Sequence, residues 1–495
     1  MNSTEDHTEA ALGSVRIRFG KIFLWAALFR LLFLVWSWTP WLAEEQSGMS
    51  SYYFRQGYGL AAGYGYIGSE GEGSHQLKVL DALVEQQGLH ASAETAPPLP
   101  KTDIHPEMLH PPGMAIMIAG FHRLLGIPAD LPMQMAGLLM DSAAAVLLCW
   151  LVAQALSPQI GSAVGWVYAF FPPVAYGAAS SRTPEGMMGI FIIGATTCVW
   201  MAMFRGKNRW LLWSVSAGLV LGLGTYFRPD YLLLPVALGA GAWAMSRQFW
   251  FSMRNLVLVQ LITLAVMLPW AWRNHELSGR WIFTSTSTGA TLVTGLGEFK
   301  NPWGLGGADA DRGTEAAAQG FGSPWSAGAD AYFRGFFWRS VKEHPLGYVK
   351  TIVKRIPFAL APPLDFGLQN PFKTKSFNDL RGQEGEDRYA VVKSQFGHTL
   401  LSYADVLAMS GVCLFALVAD LFMFWRERRR WGLCFFLFSP HLYALGTHLL
   451  THFEPRFLLP SIGFLLIGYG YLVSLRGGRK GGSKASTSAP RVSDI

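Results

Sequence analysis

Three short stretches of this sequence place an arginine beside a proline and a second polar group at the end of an apolar run: Arg228-Pro229-Asp230, Pro269-Trp270-Ala271-Trp272-Arg273-Asn274 and His452-Phe453-Glu454-Pro455-Arg456. A guanidinium offers its donors in a planar fork that suits carboxylate and phosphate. A single arginine at such a place can equally snorkel to a lipid interface; three beside proline-broken helix ends on one face favour an anion site. Acid–base chemistry needs a carboxylate as well, and the stretch after the first apolar run offers Glu44, Glu45, Glu70, Glu72, Asp103 and Glu107. Most of these are expected to be solvated surface charges. Glu44 and Glu45 directly follow the apolar run, where partial burial either raises a carboxylate toward the range of a general base or leaves it capping the interface. His110 precedes Pro111-Pro112, a rigid helix start, and is expected to hydrogen-bond locally rather than bind a metal. Asp141, Asp405 and Asp420 lie inside apolar runs, where a carboxylate is costly unless paired. Structural pairing is the favoured reading for Asp141, which has Ser142 beside it, and for Asp420, which lies near a basic cluster.

The elements that position these groups follow from hydropathy. The chain has 495 residues, 51% hydrophobic and 15% charged, which sets an all-α polytopic membrane class rather than a soluble one. Eleven apolar segments run roughly over 21–42, 111–126, 131–156, 160–178, 184–204, 210–226, 229–246, 255–272, 399–424, 431–450 and 455–475. The formal charge of +7 sits in short basic clusters between them, which positive-inside orientation explains without a nucleic acid. The four cysteines lie in apolar runs with no zinc-type spacing. The first segment reads as a retained span rather than a cleaved signal.

The clusters Arg16/Arg18/Lys21, Arg205/Lys207/Arg209, Arg247/Arg254, Arg426/Arg428/Arg429/Arg430 and Arg476/Arg479/Lys480 assign one side to the cytoplasm and residues 43–110 and 273–398 to the other. Four apolar segments then separate external His110 from cytoplasmic Arg205, and only an odd number of crossings can join them. Segment 111–126, short for a span, and segment 160–178, which contains Phe171-Pro172-Pro173, are the candidates for a short, paired or re-entrant piece. About ten crossings remain, with both termini cytoplasmic.

The expected organisation is a cytoplasmic segment 1–20, a transmembrane module 21–272 including the external loop 43–110, an external region 273–398, C-terminal helices 399–475 and a disordered tail 476–495. Leu77, Leu80, Leu83 and Val84 recur at helical spacing and predict an amphipathic helix lying on the membrane surface, and Tyr348 to Phe358, with Lys350, Lys354 and Arg355, suits a lipid interface as well.

The order of motifs resembles the GT-C superfamily of polytopic glycosyltransferases, especially its protein mannosyltransferase and aminoarabinose transferase-like members. Tyr52-Tyr53 and Ala61-Ala62-Gly63-Tyr64-Gly65-Tyr66 follow the first span, then come His110-Pro111-Pro112-Gly113 with Gly126, Phe170-Phe171-Pro172-Pro173 and Thr183-Pro184-Glu185. Arg228-Pro229, Pro269-Trp270 with Arg273-Asn274 and Gly279, Ser285 to Gly289 with Leu292, His344-Pro345 and Glu454-Pro455-Arg456-Phe457 with Pro460 complete the series. Each motif is common at membrane helix ends; their order along most of the chain carries the resemblance.

What it implies is a GT-C-like bundle with extended external loops containing juxtamembrane helices. The implied reaction is inverting transfer of a sugar from a polyprenyl-phosphate donor to a lipid, glycan or protein acceptor on the external face of a bacterial inner membrane. An external-loop carboxylate deprotonates the acceptor hydroxyl, with Glu45, Glu44 or Asp103 the candidates. His110, Glu185, Arg228, Arg273, Asn274 and Arg456 are the expected substrate-binding set, with the three arginines on the leaving phosphate. Some members use a divalent cation, and no ligand cluster in this sequence establishes one. The sequence departs from the family where an Asp usually precedes the tyrosine-rich segment: it reads Gln46-Ser47-Gly48-Met49-Ser50-Ser51-Tyr52-Tyr53. A displaced carboxylate or a lost activity are both consistent with that. A flippase for lipid-linked glycans is the alternative from another class, although the long external loops favour chemistry at the surface; an inactive lipid-binding scaffold is the third reading.

Overall fold

The computed structural model describes residues 17–37, 48–68, 75–87, 104–180, 183–205, 208–364 and 396–478. Among them regular structure is helical, apart from an isolated antiparallel bridge between Ile67 and Pro106. Helix α1 (Phe19–Ser37) is followed by three shorter ones, α2 (Gly48–Ala61), α3 (His75–Gln86) and α4 (Gly113–Leu125). The bundle continues with α5 (Asp130–Ala155), α6 (Pro158–Ala169), α7 (Pro172–Ser180), α8 (Glu185–Trp200), α9 (Trp210–Thr225), α10 (Leu234–Ser246) and α11 (Phe249–Ser278). An outer layer follows, α12 (Thr288–Gly297), α13 (Asp309–Ala318), α14 (Ala327–Glu343) and α15 (Pro345–Leu360). Helices α16 (Phe396–Arg426), α17 (Trp431–Leu450) and α18 (Ile462–Gly478) close the bundle.

Among the described residues seven helices are long and apolar enough to cross a membrane, and the protein is an integral membrane protein. On α11, exposed Trp250 and Trp272 mark two belts about 33 Å apart along an ideal helix, close to the ~30 Å hydrocarbon core. Proline sets many of the breaks. Pro172 and Pro173 split the apolar segment 160–178 into α6 and α7, and Pro158 and Pro345 open helices at positions that need no backbone donor.

The bundle is held by small residues at the crossings. A Cβ on Gly218 or Gly222 would lie 2.6 Å from the Cβ of Ile262 or Val266, so this glycine pair lets α9 seat directly on α11. Asp141 on α5 is paired as expected, but with a distant partner: the Arg30 guanidinium on α1 donates to it at 2.6 Å, and Tyr168 on α6 donates at 2.6 Å. Asp420 is buried beside α18 and accepts from the Gly468 backbone N–H at 2.7 Å, rather than meeting the basic cluster.

Two further cores lie outside the main bundle. Tyr52, Tyr53, Phe54 and Tyr58 of α2 pack on Met114 and Ile118 of α4, and Phe333 and Phe337 of α14 pack on Ala290, Val293 and Leu296 of α12. Helix α3 forms where the sequence predicts it, with Val79 and Leu80 packed on Ile67, Tyr64 and Ile104 of its own loop. Helix α15 keeps Leu346, Val349 and Val353 exposed along one face, consistent with an interfacial helix. Its Arg355 departs from the expected interfacial role, being buried and paired with Glu298 at 2.7 Å. The expected disordered tail lies, from residue 479 on, outside the described residues.

Candidate functional site

Three X-Pro units build the site. A residue before proline is driven to extended backbone, and the proline then starts a helical turn. Arg228 is extended (φ −139°, ψ 106°) ahead of the 3₁₀ turn Pro229–Tyr231, and Glu454 is extended (φ −122°, ψ 136°) ahead of the turn Pro455–Ser461. Pro184 caps α8, whose first residue is Glu185. A carboxylate there is favoured by the partial positive charge of the helix N-terminus. Packing of α8 on the Pro455–Ser461 turn brings the units together.

The result is a chain of alternating charge. Arg228, buried under the Phe457 ring with its guanidinium 4.7 Å from the ring centre, meets Glu185 at 2.5 Å and Asp230 at 3.0 Å. Arg456 lies 3.9 Å from the same Glu185 oxygen and 2.6 Å from Glu454. His452 joins Glu454 at 3.2 Å to Glu298, which is also the partner of Arg355. At the other end His448 comes within 3.5 Å of Asp230. Five basic side chains, Arg355, His452, Arg456, Arg228 and His448, thus alternate with the carboxylates Glu298, Glu454, Glu185 and Asp230. Arg228 is nearly sealed, whereas the Arg456 side chain is 40% exposed, so of these two among the three expected anion-binding arginines Arg456 is the one that a ligand can reach.

The ionisation states follow from these contacts. Burial opposes charge on Arg228, but Asp230 and Glu185 overcome it and hold the proton more tightly than usual. Burial likewise opposes the Asp230 carboxylate, and Arg228 and His448 bring it well below the ordinary range. Burial works against a charged His452, yet hydrogen bonds to Glu298 and Glu454 raise its pKa to about 9, and the same contacts outweigh burial to bring Glu454 to about 2. His110 is lowered to about 4, first by burial and then by Arg228. Its ring packs on Tyr52 and Tyr53, and its backbone carbonyl accepts from the Tyr66 hydroxyl at 2.8 Å.

The remaining expected site residues are placed elsewhere. Arg273 does not join Arg228 and Arg456. It donates to the backbone carbonyls of Glu107 at 2.7 Å and Tyr66 at 3.0 Å, clamping the chain between α2 and α4 to the end of α11. Asn274 is buried, accepts from Arg273 and donates to the Ile282 carbonyl at 3.1 Å. Glu107 departs from the expected solvated charge: it is buried and accepts from the Gln56 side chain at 2.7 Å. Glu44, Glu45 and Asp103, the expected general bases, lie outside the described residues. Sequence reasoning missed Glu298 and His448, which carry no local motif. Among the described residues no group of three or more His, Cys, Asp or Glu side chains is arranged to hold a metal, so a divalent cation has no ligand set there.

Residues 109–272 match the family model described as dolichyl-phosphate-mannose-protein mannosyltransferase. The matched stretch holds His110, Glu185 and Arg228, while Arg273, Asn274 and Arg456 lie beyond it. Among solved structures, the oligosaccharyltransferase of Archaeoglobus fulgidus, crystallised with zinc and sulfate, is similar over 93% of this chain at 13% identity and a TM-score of 0.48. This chain spans about half, 49%, of that one. No curated protein matches the sequence.

Proposed function

We propose that the protein is a membrane glycosyltransferase that transfers a sugar from a polyprenyl-phosphate donor to a lipid, glycan or protein acceptor. The transfer takes place on the face opposite the arginine-rich helix ends of a bacterial inner membrane, with both termini on the arginine-rich side. The observation that carries this reading is the match over 109–272, whose helix ends hold Glu185 and Arg228 against Arg456. In the proposed reaction a first-loop carboxylate, Glu45, Glu44 or Asp103, takes the proton of an acceptor hydroxyl. The oxygen attacks the anomeric carbon from the face opposite the phosphate, the carbon–oxygen bond to phosphate breaks, and polyprenyl phosphate leaves with inversion. A positioned base contributes ~10²–10⁴-fold to such a step. Arg456, with donors open to a ligand, contacts the leaving phosphate, while sealed Arg228 fixes Glu185 beside it.

The test is transfer of radiolabelled sugar from a panel of polyprenyl-phosphate donors in proteoliposomes with acceptor membranes. Wild type is compared with Glu44→Gln, Glu45→Gln and Asp103→Asn, with and without a chelator. Donor-dependent transfer abolished by one substitution, at unchanged protein amount and donor binding, supports the reading and identifies the base. Donor lipid that crosses the bilayer or binds tightly without transfer would replace it with a flippase or a scaffold.

A further inference from the structure

A second candidate site lies at the opposite end of the bundle, where α9 and α11 both begin. Between them runs an open-sided groove of about 440 Å³, walled by Leu211, Trp250, Val257 and Leu261, with Trp210 and Arg254 at its arginine-rich end. From Trp250 to Leu261 the wall rises about 16 Å along α11, roughly half the ~30 Å hydrocarbon thickness and so the depth of one leaflet. Trp250 is 80% exposed at the rim. The Arg254 guanidinium is stacked 3.8 Å over the Trp210 ring centre and 4.9 Å from that of Phe251, which fixes the cation at the groove's mouth. Stacking uses the face of the guanidinium and leaves its edge donors outward. Arg228 and Arg355 meet carboxylates, whereas Arg254 has no hydrogen-bond or carboxylate partner among the described residues. Arg209, which precedes Trp210 in the chain, is exposed as well.

We propose that this groove is a site for an anionic phospholipid of the leaflet on the arginine-rich side, with an acyl chain along α9 and α11 and the phosphodiester on the outward edge of Arg254. One leaflet of apolar depth beneath an unneutralised cation fits that chemistry, and it fits a zwitterionic lipid less well, because a choline group would be held against Arg254. The proposal does not depend on the transferase reading.

The test is native mass spectrometry of the full chain, delipidated in detergent and titrated with phosphatidylglycerol or phosphatidylcholine of the same acyl length. Wild type is expected to retain phosphatidylglycerol preferentially. Arg254→Gln should weaken that retention about fivefold, the change expected for one cation at an anionic surface. Val257→Trp, which fills the groove and keeps the charge, should weaken it as well, and Arg280→Gln at the far end should not. If Arg254→Gln fails to fold, Val257→Trp carries the test. Equal retention of the two lipids, or retention untouched by both groove variants, would overturn the proposal, as would full competition by free glycerol phosphate, which cannot use the apolar wall.

Discussion

Arg228 and Arg456 share one carboxylate oxygen of Glu185 yet are expected to behave differently when removed, because one is sealed and the other open. Arg228→Gln takes the nearest cation from buried Glu185 and half-buried Asp230, and breaking a buried pair costs about 3–5 kcal/mol. The thermal midpoint in detergent should fall sharply, and Glu185→Gln added to it should recover part of the loss. Arg456→Gln removes a half-exposed side chain, so the midpoint should scarcely move while transfer falls about 10²-fold, the size seen for one lost transition-state donor. A large midpoint drop with intact transfer would reverse these roles. His452 carries a pH dependence of its own. Burial disfavours its charged form, but its two glutamate partners lift the pKa from 6.5 to about 9. A folded-state pKa above the unfolded one stabilises fully below about pH 6.5, and that contribution is lost as pH rises toward about 9. The wild-type midpoint should therefore decline over this window and that of His452→Gln should not; parallel curves would place the titrating group elsewhere.

At the scale of elements, hydropathy and proline were enough to place the long apolar helices, but not α2 or α12 to α14. The apolar runs at 131–156 and 431–450 became α5 and α17 within a residue of their bounds, because a run that must satisfy its own backbone in lipid can only be helical. Pairing between elements was not legible in this way. Arg30 meets Asp141 and Arg355 meets Glu298 across long sequence separations, contacts set by which helices neighbour each other, and no spacing within one segment encodes that. The site was half legible for the same reason: the X-Pro units stood out locally, while Glu298 and His448 complete the charge chain from elements with no motif. What decides neighbours is visible in the glycines. Gly222 faces the Val266 side chain, so Gly222→Leu forces α9 away from α11, and overpacking of this kind costs about 1–3 kcal/mol. The yield of folded protein and its thermal midpoint should both fall, whereas Gly120→Leu, where a Cβ meets nothing within 4 Å, should leave both near wild type.

For the whole molecule, the orientation problem left by four apolar segments between His110 and Arg205 has a structural answer in α4. A helix of 13 residues is only about 20 Å long, short of the ~30 Å a span needs. Both of its ends are also held at one end of the bundle. A Cβ on Gly113 would sit 2.6 Å from the Tyr226 carbonyl, beside the end of α9 that leads into Arg228. At the other terminus Arg123 donates to the carbonyls of Leu60 and Ala61 at 2.8–3.1 Å, where α2 ends. The chain after α2 runs to Tyr66, whose carbonyl is held by Arg273 at the last turns of α11. Helix α4 is therefore expected to pack beside the site without crossing, which would leave α5, the α6–α7 pair and α8 as the odd number of crossings that the basic clusters demand. Leu124, 84% exposed at the end of α4, makes this testable. In a cysteine-free background, Leu124→Cys in intact cells should react with a membrane-impermeant maleimide as readily as Arg280→Cys, while Arg428→Cys should react only after the membrane is opened. If the Leu124→Cys variant were instead protected in the manner of Arg428→Cys, α4 would span, and the lost crossing would then have to be found in the proline-broken α6–α7 pair.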